Sequence, residues 1–64
     1  MDLSQYLQTY GRKGILELAK RADVGGDYLY KLGKGYEGRK PGKHLARELE
    51  RVTNGELTYE AMRA

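Results

Sequence analysis

The stretch LAKRADVGGDYLYKL, residues 18–32, holds two runs of helical spacing on either side of Gly25 and Gly26. Ile15, Leu18, Ala19 and Ala22 stand at i, i+3, i+4 and i+7, one apolar stripe on a helix. Leu29 and Leu32 give the second run its own inner side. Ala19 is small where the two helices would approach most closely. Asp23 falls at the bend, Val24 drops toward the core beneath it, and Leu29 anchors the next helix. A small residue, a bend and two apolar anchors have the spacing of a helix-turn-helix. Its helices cross steeply and leave the first turn of the second exposed. Gly25 and Gly26 would sit at that start, where backbone N–H groups can approach a ligand closely. Free N–H groups at a helix start favour a phosphate.

Outward from this stretch the chain keeps reading as helix. Asp2 can cap a first helix, with Gln5 at the capping-box position. Leu3, Tyr6, Leu7 and Tyr10 fall near one face of it, and Gly11 supplies a stop. Arg12 and Lys13 open the second helix, which carries the Ile15–Ala22 stripe. The third follows the glycines. Gly33, Gly35 and Gly38 then make a loop that also carries Lys34, Tyr36, Arg39 and Lys40 and ends at Pro41. A fourth helix runs from about Gly42 to Thr53, with Leu45, Ala46, Leu49 and Val52 inward and Asn54-Gly55 as its stop. Leu57 packs back on the core, and Thr58 caps a short turn through Met62. No segment alternates long enough for a strand. The expected fold is all-α, a compact bundle of four helices plus a short fifth, in one domain spanning 1–64.

Composition bounds the chemistry. Sixty-four residues allow one small core. No cysteine is present, so disulfides and thiolate metal sites are excluded, and the single histidine, His44, makes no metal cluster alone. No apolar run spans a membrane and no signal-peptide pattern opens the chain, so a cytoplasmic protein is expected. The net charge is +3, from 12 basic and 9 acidic residues. Arg12 to Lys43 holds nine basic residues against four acidic, and His44 onward holds three against four. The excess in the middle of the chain points to an anionic partner for one part of the surface.

The chain resembles the phage Cro and repressor type of helix-turn-helix domain, the small Cro-like prophage regulators in particular. The resemblance runs from LSQYLQTYGRKGILELAKRADV through YLYKLGKG to RKPGKHLARELERVTNGELTYEAM. Two positions depart from the family pattern: Asp23 stands where glycine is preferred at the bend, and Gly25 where serine or threonine starts the recognition helix. Asp tolerates the left-handed conformation, whereas Gly25 removes a cap hydroxyl.

The resemblance implies a lambda-repressor-like DNA-binding fold whose third helix lies in the DNA major groove. It carries base reading to Gly26, Asp27, Tyr30 and Lys31, with Tyr28 beside them. Lys31 would donate to guanine, and Asp27 would either accept from cytosine or only stabilise the helix start. Tyr30 would pack on a thymine methyl or reach a phosphate. Arg12 and Lys13, the backbone at Gly25, and Lys34, Arg39, Lys40 and Lys43 would position phosphates. Lys20 and Arg21 are expected in solvent, and Arg47 and Arg51 paired with Glu48 or Glu50.

The expected activity is thus a sequence-specific transcriptional repressor bound to a double-stranded operator. It would bind as a weak homodimer or a dimer formed on DNA, with Leu57, Tyr59 and Met62 as dimer-contact candidates. The alternative is an antitoxin-like or adaptor module whose third helix meets a protein. No cofactor, small-molecule substrate or enzymatic activity is expected. GKGYEG, residues 33–38, matches G-x-G-x-x-G but follows a helix rather than the strand that pattern requires. GRKPGKH, residues 38–44, has three residues between its glycines where a P-loop has four. Ser4, the one serine, is far in sequence from His44, and no paired carboxylates stand out.

Overall fold

The computed structural model describes every residue from Met1 to Ala64. Four α-helices follow one another: α1 (Leu3–Ala22), α2 (Gly26–Gly33), α3 (Lys43–Val52) and α4 (Tyr59–Arg63), with a 3-10 turn at Tyr36–Gly38 between α2 and α3. There is no strand. The two expected N-terminal helices form one element, α1, bent at Gly11. Gly11 has φ 74 and ψ −177, a region of backbone space open essentially to glycine alone. Gly14 completes the bend. A Cβ there would lie 2.4 Å from the Tyr10 Cβ, so the first arm of α1 can fold over the second only if residue 14 has no side chain.

The remaining boundaries follow local chemistry. The Asp2 carboxylate accepts from the Gln5 amide at 2.8 Å, and the Gln5 side chain accepts from the Asp2 amide at 2.9 Å, which makes the capping box. At the other end of α1 Asp23 takes the left-handed conformation, φ 57 and ψ 48. The Val24 amide donates to Ala19 O at 3.0 Å and the Asp23 amide to Lys20 O at 3.3 Å. These are the paired reverse bonds that close a helix when the chain turns away at once. Asn54 (φ 52) and Gly55 close α3 the same way, with the Gly55 amide donating to Glu50 O at 2.9 Å. Thr58 Oγ1 caps α4 by accepting from the Ala61 amide.

One core holds the elements together. Ile15, Leu18, Ala19 and Ala22 of α1, Leu29 and Leu32 of α2, Ala46 and Leu49 of α3, and Leu57 and Met62 near the C-terminus are all buried, together with Leu3 and Tyr6. Val24 is half-buried against this cluster. Leu57 and Met62 therefore belong to the core, and this corrects the expectation that they lie in a dimer contact. Tyr59 is half-buried too, with the Arg47 guanidinium 4.5 Å above its ring, so Arg47 stacks on an aromatic face instead of pairing with a glutamate. Arg51 does pair with Glu48. Arg21 is exposed as expected, and it also donates to Val52 O, which ties the end of α1 to the end of α3.

The α3–α4 connection is bonded throughout. Buried Thr53 donates its hydroxyl to Leu49 O at 2.7 Å and accepts from the Leu57 amide at 3.1 Å. The Thr58 amide donates to Met1 O at 3.2 Å, and the Met1 amino group donates to Glu56 O at 2.8 Å. No buried side-chain nitrogen or oxygen lacks a partner. No helix is long and apolar enough to cross a membrane.

Candidate functional site

Leu29 and Leu32 turn α2 inward against α1, and this decides what α2 shows outward. At 100° per residue, Asp27, Lys31 and Lys34 share the opposite side, with Tyr28 at the flank beside Leu32, and all four are exposed. None of their side chains makes a hydrogen bond or ion pair within the chain. The helix starts without a side-chain cap, since Gly25 stands at the N-cap position. Its first amides are left for solvent or a ligand.

The two glycines of the turn are there for different reasons. A Cβ on Gly26 would lie 2.6 Å from Leu16 Cδ2, so Gly26 answers to the approach of α2 onto α1. A side chain at 26 would point toward α1, so any contribution of Gly26 to an outward contact is through its backbone. Gly25 has φ −65 and ψ 132, an ordinary extended conformation, and a Cβ there would find its nearest neighbour, Tyr28 Cβ, at 3.8 Å. Neither conformation nor packing within the chain calls for glycine at 25.

Beside this face lies a basic group. Arg12 starts the second arm of α1, just past the bend, and its Cζ is 5.4 Å from the centre of the Tyr30 ring. Lys34 Nζ is 6.0 Å from the same ring centre. Tyr30 is half-buried and belongs with these cations, apart from the exposed row of Asp27, Tyr28 and Lys31. Neither Arg12 nor Lys34 has a carboxylate partner. Lys13 and Lys43 are exposed, Lys43 as the first residue of α3.

Two of the expected phosphate ligands are engaged elsewhere. Arg39 pairs with Glu37 at 3.4 Å. Lys40, itself exposed, donates to Ala64 O at the C-terminal segment. On the other side of α2, Tyr28, Lys31, Leu32, Tyr36, Glu37 and Arg39 line an open groove of about 270 Å³. Tyr28 is 50% exposed and Tyr36 59%, among the most exposed large apolar side chains of the molecule.

The groups with displaced ionisation lie away from α2. Burial, with the Glu56 carboxylate next in weight, pushes the Tyr6 phenol above its usual range. The hydrogen bond to Glu56 does the same for Tyr10, whose ring centre is 4.5 Å from that of Tyr6. The Arg51 hydrogen bond holds Glu48 below the usual carboxylate value. No three His, Cys, Asp or Glu side chains gather as metal ligands. No family model, curated protein or solved structure matches the chain.

Proposed function

We propose that this protein is a small DNA-binding regulator of the helix-turn-helix type, with the second arm of α1 and α2 as its two helices. One observation carries the reading. The outward side of α2 offers Asp27, Tyr28, Lys31 and Lys34 without an internal hydrogen bond or ion pair, beside an Arg12 that has no carboxylate partner and behind an uncapped first turn. A helix fixed by its inner side, with polar groups outward and cations at its flank, suits a major groove bounded by phosphates. The three-residue turn from Asp23 to Gly25 and the buried Ala19 support the same geometry. In this reading Asp27, Tyr28 and Lys31 meet base edges. Arg12, Lys13, Lys34, Lys43 and the Gly25 amide meet phosphates. Repression follows from occupying an operator, with a second copy bound to the other half-site.

The test is binding to random-sequence duplex DNA followed by fluorescence anisotropy between about 50 and 200 mM salt. About four phosphate contacts give a slope of log affinity against log salt near −3.6. Absence of binding at the lowest salt refutes the reading. A second reading, docking of α2 on a protein as in antitoxin-like or adaptor modules, is favoured by the exposed Tyr28 and Tyr36 along the groove. Selection of duplexes from a random pool separates the two, because only a base-reading helix enriches a common sequence.

A further inference from the structure

We infer that Glu37 is a built-in restraint on DNA affinity: its carboxylate occupies Arg39 and keeps that guanidinium from adding a phosphate contact. The inference rests on the DNA reading and adds to it a residue that works against binding. Glu37 is the one acidic residue between Asp27 and Glu48, a span that carries Lys31, Lys34, Arg39, Lys40, Lys43 and Arg47. Its backbone lies in the left-handed region, φ 55 and ψ 23, which disfavours any residue with a Cβ. Gly35 (φ 73) and Gly38 (φ 66), on either side of it, meet the same demand with glycine. At 37 a strained glutamate stands where a glycine would sit at ease. What the glutamate adds is a carboxylate 3.4 Å from Arg39 Nε.

The pair sits beside the face that reads DNA. Glu37 and Arg39 line one open groove with Tyr28 and Lys31, the side chains assigned above to base edges, so a duplex held by α2 passes close to Arg39. Both partners are largely exposed, and an ion pair of this kind contributes little to stability, so a phosphate can displace the carboxylate. The exchange brings no net gain. It replaces one anion by another at Arg39 and leaves the freed carboxylate close to the phosphate, where like charges repel. Arg39 therefore adds a phosphate contact only when residue 37 has lost its charge.

The experiment measures binding of random-sequence duplex DNA between about 50 and 200 mM salt for the parent, Glu37→Gln and Glu37→Gln combined with Arg39→Ala. Glu37→Gln keeps the size and the backbone strain and removes only the charge. Its slope of log affinity against log salt should be steeper than the parent's by about 0.9, one further phosphate, so its gain in affinity should be about 3.5-fold larger at 50 than at 200 mM. The double variant should return to the parental slope. Glu37→Gly should bind as Glu37→Gln does and, unlike it, melt a few degrees above the parent, because the backbone strain is relieved. A parental slope in Glu37→Gln, a double variant as steep as Glu37→Gln, or one flatter than the parent would each overturn the restraint. Failure of the DNA reading looks different: neither the parent nor any variant binds duplex at the lowest salt, while the higher melting temperature of Glu37→Gly remains.

Discussion

Gly11→Ala tests the bend on which both the core and the basic group depend. At φ 74 and ψ −177 an L-residue costs about 1–3 kcal/mol. Alanine also restricts the unfolded chain, which returns about 0.4–1 kcal/mol. No heavy atom lies within 4 Å of the would-be Cβ, so sterics outside the backbone add nothing. The net expectation is a loss of about 1–2 kcal/mol. A chain of this size has roughly 3–10 kcal/mol in total. The melting temperature should fall by about 5–15 °C, read by circular dichroism with a urea titration beside it. Replacing Gly11 with D-alanine, feasible by synthesis at this length, should raise stability instead, because φ near +74 is ordinary for a D-residue. An unbroken helix of 20 residues would be about 30 Å long, whereas the longest dimension of the molecule is 24 Å. If L-alanine is as stable as glycine, or D-alanine is the worse of the two, the bend is not where we place it. The position of Arg12 then loses its basis.

Three further expectations follow from the same structure. Ala19 is 1% exposed where α1 meets α2, so Ala19→Leu should overpack the crossing by about 1–3 kcal/mol and abolish specific DNA binding; exposed Lys20→Leu should be nearly neutral in thermal melts, and a parental Ala19→Leu would move the crossing elsewhere. Lys31→Ala should cost about 1–3 kcal/mol more on a selected site than on random duplex. Lys40→Ala, which removes a cation tethered to Ala64, should leave the salt slope unchanged in the same titrations. Tyr6 and Tyr10 ionise above their ordinary value near 10.0, so the folded state holds their protons more tightly than the unfolded chain. Their contribution to stability is whole below that value and is lost as pH rises through the raised ones; urea midpoints followed into that range should fall, and fall less in Tyr6→Phe.

Much of the helical framework is legible because its determinants are local. Asp2 and Gln5, Thr58, and the pair Asn54-Gly55 each act within a few residues of their own position, and the structure uses each as a helix boundary. The stripe Ile15, Leu18, Ala19 and Ala22 is buried as its period requires. What sequence spacing misread depends on approach from a distant element. Gly11 is read correctly as a break, since its φ 74 and ψ −177 are non-helical, but the close approach of Gly14 to Tyr10 is not legible in the spacing. Gly26 reads as an opening for a ligand until Leu16 is found facing it. Tyr30 meets Arg12 and Lys34, Arg21 meets Val52, and Lys40 meets Ala64, and of these contacts only that of Tyr30 with Lys34 is within about one helical turn. Leu57 and Met62 are apolar whether a core or a second copy covers them, so composition alone leaves that choice open.

The two connections flanking α3 are both largely polar, but the hydrogen bonds around Thr53 make them mechanically unlike. Every amide from Thr53 to Thr58 donates to an acceptor, and two of those acceptors, Thr53 Oγ1 and Met1 O, lie outside the pattern of a simple turn. From Lys34 to Lys40 every residue is exposed, and the backbone bonds there reach back no more than four residues. A protease needs several consecutive residues pulled free of their bonds before it can cut. Trypsin should therefore open the chain first at Lys34 or Arg39, since the bond after Lys40 leads into Pro41, and spare Arg51 while the fold lasts. The same contrast marks the connection ahead of α3 as the place where inserted residues, a reporter peptide for instance, cost least.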